Sequence, residues 1–262
     1  KEVKIVVVEN SNDSKFKHDL EKTYKNVNCV LSRENLGMGC GNNLGIKKAN
    51  TEFVFILNPD VILENNTVNE LIKASEKFSN FAIFSPISSN PNYPNYRLNN
   101  NEKLRSEINF PFKVKSVDGF AMLINKNRVD KILNYENSNN DNDYFDKNFF
   151  MYLENDDLCK RITDNNEDIY IIPTSKISHL GAKAVDDKYK DEIEYSRNWH
   201  WIWSKFYFRK KHYGYLKAFI YGFPKFFLSS LKYIYYLFIN NKNKKRIYFN
   251  RSSGFLNAAL GR

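Results

Sequence analysis

The side chains best placed to do chemistry include the polar turn Asn58-Pro59-Asp60, which ends the apolar run Phe53–Leu57. A buried strand that stops on such a turn presents its carboxylate at the carboxyl edge of a sheet, where ligands bind. Hard cations such as Mg²⁺ or Mn²⁺ need oxygen ligands of this kind and usually share them with phosphate groups. Asn, Pro and Asp also make turns without any ligand, so this segment alone does not identify a site.

A second cluster of chemical interest is acidic and lies at Glu154-Asn155-Asp156-Asp157. Three carboxylates in four positions repel one another, and this repulsion tends to raise the pKa of one of them. Such a group could accept a proton from a hydroxyl group. The alternative is that the cluster only favours the start of a short helix ending near Arg161, because acidic residues stabilise helix N-termini.

The third candidate is a glycine-rich stretch from Arg33 to Gly45, which contains four glycines. Its backbone amides could approach an anion before a helix that we predict to begin near Asn42. The spacing is neither that of a dinucleotide-binding turn nor that of a phosphate-binding loop. Glu9 and Asn10 follow an apolar strand and are expected at the same sheet edge.

In their order and spacing these segments resemble family 2 glycosyltransferases, in particular the bacterial branch that includes rhamnosyltransferases. The resemblance spans most of residues 3 to 181 and rests on six segments: Val6–Ser11, Arg33–Gly45, Phe55–Asp60, Val117–Ile124, Phe145–Arg161 and His179–Gly181. It implies a GT-A fold, a nucleotide-diphosphate-sugar donor, a divalent cation (Mn²⁺ or Mg²⁺) and transfer of a sugar to a hydroxyl group.

The resemblance also assigns roles to individual residues. It makes Asp60 and His179 the metal ligands, with Asn58 supplying at most a neutral oxygen. Glu9 stands where the family usually has Asp. The positions that the resemblance places near the nucleotide sugar are Glu9, Asn10, Ser11, Arg33, Asn35, Gly37, Asn42, Asn58, Asp60 and Gly119.

The catalytic base is the point at which this chain departs from the family. The family's base commonly stands at the second position of the acidic cluster, where this chain has Asn155, and an amide cannot take the proton. Asp156 or Glu154 could take over if the turn shifts slightly. We assign the base to Asp156 and expect Asp157 to start the helix or orient the site.

The elements that must position these residues alternate between strand-like and helix-like segments through the first half of the chain. This alternation predicts an α/β fold of the GT-A (Rossmann-like) type, with a mostly parallel sheet flanked by helices. Polar loops at 88–113 and 137–143 are expected to shape specificity, and a charged loop at 184–190 is expected to be mobile. Family members normally begin with another strand and helix, so the chain is predicted to lack the first N-terminal pair.

Charge separates the chain into two parts. From residue 195 onward fourteen Lys and Arg stand without a single Asp or Glu, whereas the earlier part has 26 basic and 30 acidic residues. We therefore predict a glycosyltransferase domain at 1–194 and a basic, aromatic, helical extension at 195–262. The extension is expected to lie on an anionic membrane surface. The alternatives are a true membrane span and ordinary helices packed on the domain. Binding of nucleic acid is a third alternative, but no nucleic-acid partner is expected.

Together these features predict an inverting glycosyltransferase that moves a hexose or deoxyhexose onto a lipid-linked or polysaccharide acceptor, and the branch it resembles points to rhamnose as a candidate sugar. The expected location is cytoplasmic, peripheral on the inner face of the cell membrane. Three widely separated cysteines suit a reducing compartment. The alternative from a different class is a catalytically impaired sugar-nucleotide-binding protein or gene fragment, motivated by Asn155 and the missing strand.

Overall fold

The structure is a computed structural model that describes residues 3–98, 109–136, 143–181 and 187–262. The chain forms two compact units. The first comprises Lys1–Asn148 and Glu154–Ala182, and the second comprises Phe149–Leu153 and Lys183–Arg262. The predicted domain boundary after residue 194 falls inside a helix, Lys190–Tyr213. The predicted loop at 137–143 lies almost wholly outside the described residues, as do the central part of the loop at 88–113 and the start of the loop at 184–190.

The first unit alternates strands and helices, as predicted. Its helices are α1 (Ser14–Thr23), α2 (Gly37–Lys48), α3 (Thr67–Lys77), α4 (Lys126–Glu136) and α5 (Glu154–Asp164). Its strands are β1 (Ile5–Glu9), β2 (Val27–Leu31), β3 (Phe53–Leu57), β4 (Val61–Leu63), β5 (Ile83–Ser88), β6 (Tyr96–Arg97), β7 (Phe112–Lys113), β8 (Ser116–Val117), β9 (Ala121–Asn125) and β10 (Ile169–His179).

Strand pairing corrects one detail of the predicted fold. The central sheet has the order β3-β9-β5-β10-β4, with β7 also paired to β10. Only β5 and β10 pair in parallel in this sheet, and the other pairs are antiparallel, so the sheet is mixed rather than mostly parallel. The physical reason is that β9 runs antiparallel between β3 and β5, which no local pattern of residues specifies. The α/β class itself is confirmed.

Strand β1 pairs in parallel with β2 in a separate two-stranded sheet. Its valines, Val6 to Val8, are only half-buried, whereas β9 is buried along its whole length. The prediction that a first strand and helix are lacking stays a prediction.

The core of the first unit is built from the apolar residues of the central strands and of the helices packed on them. Phe81 and Phe84 stack with ring centroids 3.6 Å apart, and both are fully buried. On the other side of the sheet, Met122 and Ile124 of β9 pack with Ile162 of α5 in the larger apolar cluster. Burial of side chains of this size stabilises the fold by about 1.5 to 3 kcal/mol each.

Helix α2 begins five residues earlier than predicted, at Gly37 rather than near Asn42. Gly37 has a φ of 76°, in the left-handed region that favours glycine. A Cβ atom at Gly39 would lie 3.0 Å from the Cβ of Phe145 and 3.4 Å from that of Glu154. Glycine is a poor helix former, but here its small size lets the first turn of α2 pack closely against α5 and the chain before it.

The second unit is helical. It contains a short 3-10 helix (Asp187–Tyr189) and three helices, α6 (Lys190–Tyr213), α7 (Tyr215–Phe238) and α8 (Lys242–Leu260). Its core joins Phe206, Ala218, Phe255 and Ala258. Gly222 and Gly254 permit close helix contacts, since an added Cβ would lie 2.5 Å from the Phe255 ring and 2.6 Å from the Trp199 carbonyl oxygen. Among the described residues, no helix combines the length and apolarity that crossing a membrane requires.

Candidate functional site

The structure brings the two predicted metal ligands together. Nε2 of His179 and Oδ2 of Asp60 are 3.2 Å apart. The register of the sheet explains this, because His179 at the end of β10 pairs with Val61, the residue after Asp60. The backbone is fixed as well, since the amide of Leu180 donates a hydrogen bond to the carbonyl oxygen of Asp60 at 3.0 Å.

This pair fits a divalent cation in donor type and in spacing. Two ligands at right angles, each 2.0 to 2.1 Å from a cation, would be about 3 Å apart. Both side chains are partly exposed, at 16% for Asp60 and 30% for His179. Within the described part of the chain, no group of three or more His, Cys, Asp or Glu residues is arranged to hold a metal. Substrate phosphates and water are the usual further ligands of such a cation.

An aromatic ring holds the imidazole in place. The ring of Phe120 stacks on that of His179, with centroids 4.1 Å apart and an interplanar angle of 21°. The carbonyl oxygen of Phe120 also accepts a hydrogen bond from the amide of Asn58 at 2.9 Å. Phe120 thus links the turn that carries Asp60 to the end of β10. Phe120 lies in the segment Val117–Ile124 that carries the family resemblance, but nothing in the sequence indicated this role.

The acidic cluster begins α5, and its four residues have four different environments. Glu154 is only 3% exposed, and its Oε2 has no hydrogen-bond partner. Burial raises the pKa of Glu154 to about 7. Asp157 is fully buried and pairs with Arg161, one turn along the helix, at 3.0 Å. These two carboxyl groups are therefore enclosed in the protein.

The other two members of the cluster lie closer to solvent. Asn155 donates a hydrogen bond from Nδ2 to the carbonyl oxygen of Val117 at 2.8 Å, so its amide ties α5 to the end of β8. Asp156 accepts a hydrogen bond from the guanidinium group of Arg97 at 2.6 Å. Arg97 lies in β6, within the long polar loop whose sequence gave no sign of this contact.

Asp118 is a further carboxylate near Asp156 that was not among the predicted site residues. It lies between Val117 and Gly119, and a Cβ atom at Gly119 would approach the Cβ of Asn155 to 3.2 Å. Burial raises the pKa of Asp118. The positive charge of Arg97 opposes this shift, and the negative charge of Asp156 adds to it. His179 is close enough to lower the pKa of Asp118 electrostatically. Asp118 is therefore influenced electrostatically both by the acidic cluster and by His179.

Gly119, predicted to lie near the nucleotide sugar, owes its residue type to packing. The Cβ atom that any other residue would add would lie only 2.9 Å from Cε of Met38 and 3.2 Å from the Asn155 side chain. A larger residue here would require the end of the Met38 side chain to move and would crowd the side chain of Asn155.

The predicted nucleotide-facing residues of β1 form two networks. Asn10 accepts hydrogen bonds from the Leu36 amide and the Ser32 hydroxyl, and donates to Asn35 and to the Gly37 carbonyl oxygen, at 3.0 to 3.2 Å. This network brings Asn10, Asn35 and Gly37 together at the start of α2. The side chain of Arg33 is exposed.

The second network turns Glu9 back on its own chain. Its carboxylate accepts hydrogen bonds from the amides of Ser11 and Asp13, at 2.9 and 2.6 Å, and from the Ser11 hydroxyl. The Ser11 hydroxyl is the main cause of a lowered pKa at Glu9. Asn42, by contrast, has a buried Nδ2 without a hydrogen-bond partner. The nucleotide-binding roles of all these residues stay predictions.

The family model for glycosyl transferase family 2 matches residues 1–133 of this chain. The chain belongs to this family. A search of curated proteins finds the low-salt glycan biosynthesis hexosyltransferase Agl10 of Haloferax volcanii, 26% identical over 180 residues. The match covers 63% of this chain and 54% of that protein, so the chain spans about half the length of this curated relative.

Two solved structures share the fold. One is GalNAc-T7 with UDP, GalNAc and Mn²⁺, which has a TM-score of 0.51 and 14% identity and covers 82% of this chain and 49% of that one. The other is the mannosyltransferase PcManGT from Pyrobaculum calidifontis with GDP-Man and Mn²⁺, at a TM-score of 0.51 and 12% identity, covering 98% and 76%. The predicted GT-A fold class is thereby confirmed.

Proposed function

We propose that this protein transfers a hexosyl group from a nucleotide-diphosphate sugar to a hydroxyl group of a glycan or lipid-linked acceptor, with inversion at the anomeric carbon. The observation that carries the proposal is the 3.2 Å approach of His179 to Asp60 at the edge of the sheet. Membership of glycosyl transferase family 2 supports the reaction class. The name of the curated relative supports a hexose and a role in glycan synthesis.

In this proposal Asp60 and His179 would hold a divalent cation, Mn²⁺ or Mg²⁺, together with the donor's diphosphate. When bound, such a cation would offset the negative charge on the departing diphosphate. The mixed oxygen and nitrogen ligands favour Mn²⁺ somewhat more than an all-oxygen set would. Both structural neighbours contain Mn²⁺, which agrees with this choice for the fold.

The proton of the acceptor goes to the carboxyl pair formed by Asp156 and Asp118. The acceptor oxygen attacks the anomeric carbon, the bond from that carbon to the phosphate oxygen breaks, and its electron pair leaves with the diphosphate. Asp156 accepts a hydrogen bond from Arg97, and the negative charge of Asp156 helps to raise the pKa of Asp118, which burial raises most. Glu154 and Asp157 are too buried to reach an acceptor. Through the family resemblance we extend the proposal to rhamnose as the sugar and to the inner face of the cell membrane as the place of reaction.

The test is sugar transfer from a panel of nucleotide-diphosphate sugars with Mn²⁺ or Mg²⁺. We expect Asp60→Ala to lower the rate by at least about a hundredfold, since charge stabilisation by a bound cation amounts to several kcal/mol. Glu76→Ala, which removes an exposed carboxylate of α3, serves as the control. Transfer that survives both Asp60→Ala and chelation of the metal would contradict the proposal.

A second candidate function is a sugar-nucleotide-binding protein without transfer activity, which Asn155 favours because the family's usual base is absent there. Calorimetry separates the two functions. Binding of nucleotide diphosphates that depends on Mn²⁺ and on Asp60, with no turnover of any donor in the panel, would support the second candidate.

A further inference from the structure

Helix α7 carries a continuous row of exposed apolar side chains along one face. The row consists of Leu216, Ile220, Phe223, Phe227, Leu231, Ile234 and Phe238, each between 43% and 86% exposed. Because successive helical residues advance by about 100°, these seven positions fall within an arc of about 80°. The row is about 33 Å long, at about 1.5 Å per residue. Water contacts on such a row are unfavourable, and exposed apolar surface of this extent marks an interaction site.

The opposite face of α7 explains why the row points outward. Ala218 is fully buried and Ser229 nearly so, and Gly222 packs closely against the Phe255 ring. The core of the second unit thus uses the small residues of α7 and also the rings of Phe219 and Phe226. The apolar row is left over after this core is complete.

The charge around the row identifies the kind of surface that would cover it. Three exposed lysines of α7, Lys217, Lys225 and Lys232, lie about 40°, 120° and 100° beyond the edge of the row, on the side of the helix where Tyr221 and Leu228 are also exposed. Neither α7 nor the rest of the chain after Glu194 contains an acidic residue, against fourteen basic ones. Two copies of a surface with this charge repel each other, whereas anionic lipid headgroups attract it. Lys217, the lysine nearest the row, can also reach headgroups while its stem remains among apolar side chains.

We propose that α7 lies in the plane of an anionic lipid bilayer, with the row from Leu216 to Phe238 buried among the acyl chains, Lys217 at the headgroups, and the other lysines of α7 within range of the headgroup charge. An amphipathic helix of this kind rests in the interface without crossing the membrane. Residues 195–262 as a whole were expected to lie on a membrane, and this assigns the membrane contact to one face of α7. It does not depend on the sugar-transfer reaction.

The experiment is flotation of the whole 262-residue chain with vesicles of phosphatidylcholine alone or mixed in equal parts with phosphatidylglycerol. We expect binding to the mixed vesicles that weakens as salt is added, because salt screens charge attraction. Phe227→Ser combined with Ile234→Ser should lower the apparent affinity by about tenfold or more, since binding scales with the apolar area that enters the bilayer. Ile72→Ser, which changes an exposed apolar residue of α3 (49% exposed), is the matched control and should have no effect.

A second pair of variants tests the charge independently. Lys217→Gln with Lys225→Gln should weaken binding to the mixed vesicles while leaving any residual binding to phosphatidylcholine unchanged. Circular dichroism and thermal unfolding establish that each variant is folded. Absence of vesicle binding would overturn the proposal, and so would equal binding by the Phe227 and Ile234 variant. Light scattering that shows a stable dimer dissociated by that variant would instead assign the row to a second copy of the chain.

Discussion

The Asp60–His179 pair and the acidic series Glu154–Asp157 both bring carboxyl groups into the candidate site, but their environments differ. Asp60 and His179 are partly exposed and face each other at 3.2 Å, as the family resemblance implies for metal ligands. In the acidic series, two carboxyl groups are buried, a third pairs with Arg97, and the family's base position is an amide. In the proposed reaction, the diphosphate side of the site thus follows the family pattern, whereas on the acceptor side Asp118 and Asp156 accompany an amide at the family's base position.

The largest effect is expected from the carboxyl groups proposed to receive the acceptor's proton. Asp118→Asn and Asp156→Asn should each slow sugar transfer, and the double variant should slow it by about 10² to 10⁴, the usual contribution of a general base. Asp164→Asn, at the far end of α5, is the control and should retain the parental rate. Steady-state transfer assays with saturating donor measure the change. A double variant with an undiminished rate would show that the proton goes elsewhere.

The fold of the first unit was largely predictable from sequence, because its strands are apolar runs closed by turn residues and its helices are amphipathic. The start of α2 was not, since four glycines indicate a turn, and only packing against Phe145 and Glu154 makes this segment helical. The convergence of Asp60 with His179 could be expected only from the family resemblance. It depends on the pairing of β4 with β10, which joins segments more than a hundred residues apart.

The acceptor side was predictable only in part, for a physical reason. The sequence shows that Asn155 is an amide. It does not show that this amide donates a hydrogen bond to the carbonyl oxygen of Val117, which keeps the neighbouring Asp118 near the start of α5. Arg97 comes from a short strand within a polar loop without periodicity, so its pairing with Asp156 had no signal. The buried state of Asp157 could have been suspected from Arg161 four residues later, since pairs at this spacing share a helix face.

The next largest effect is on stability and concerns the buried member of the series. Asp157 and Arg161 are an ion pair with side chains 0% and 10% exposed. Asp157→Asn should lower the free energy of unfolding by about 3 kcal/mol, because it leaves a buried guanidinium without its counter-charge. Urea denaturation measures the loss.

The same helix offers the matched control for this change. Lys160 and Asp164 have the same four-residue spacing, but the Asp164 side chain is 55% exposed. Asp164→Asn should therefore cost no more than about 0.5 kcal/mol. If Asp157→Asn and Asp164→Asn lowered the free energy of unfolding equally, burial would not be what makes the Asp157–Arg161 pair important.

A comparable effect, on the order of 3 kcal/mol, is expected for the pH dependence of stability caused by Glu154. Burial raises its pKa from 4.5 to about 7 in the folded protein. Between these two values the unfolded chain releases the proton while the folded protein keeps it, so stability should fall as pH rises through this window. Glu154→Gln should remove most of this slope and raise stability at neutral pH. Chemical denaturation at a series of pH values tests it, and an unchanged slope in the variant would refute the assignment.

The smallest effect is expected from restoring the family's carboxylate at position 155. Asn155→Asp places a carboxylate oxygen against the Val117 carbonyl oxygen where Nδ2 now donates, which should cost about 1 to 2 kcal/mol of stability. Asn250→Asp removes a comparable but exposed amide-to-carbonyl hydrogen bond in α8 and should cost less. Because the turn would lose the contact that positions Asp118, we expect no increase in sugar transfer. A variant that stays stable and transfers sugar faster would contradict the role proposed for Asp118 and Asp156, since it would show that a carboxylate at position 155 is the better base.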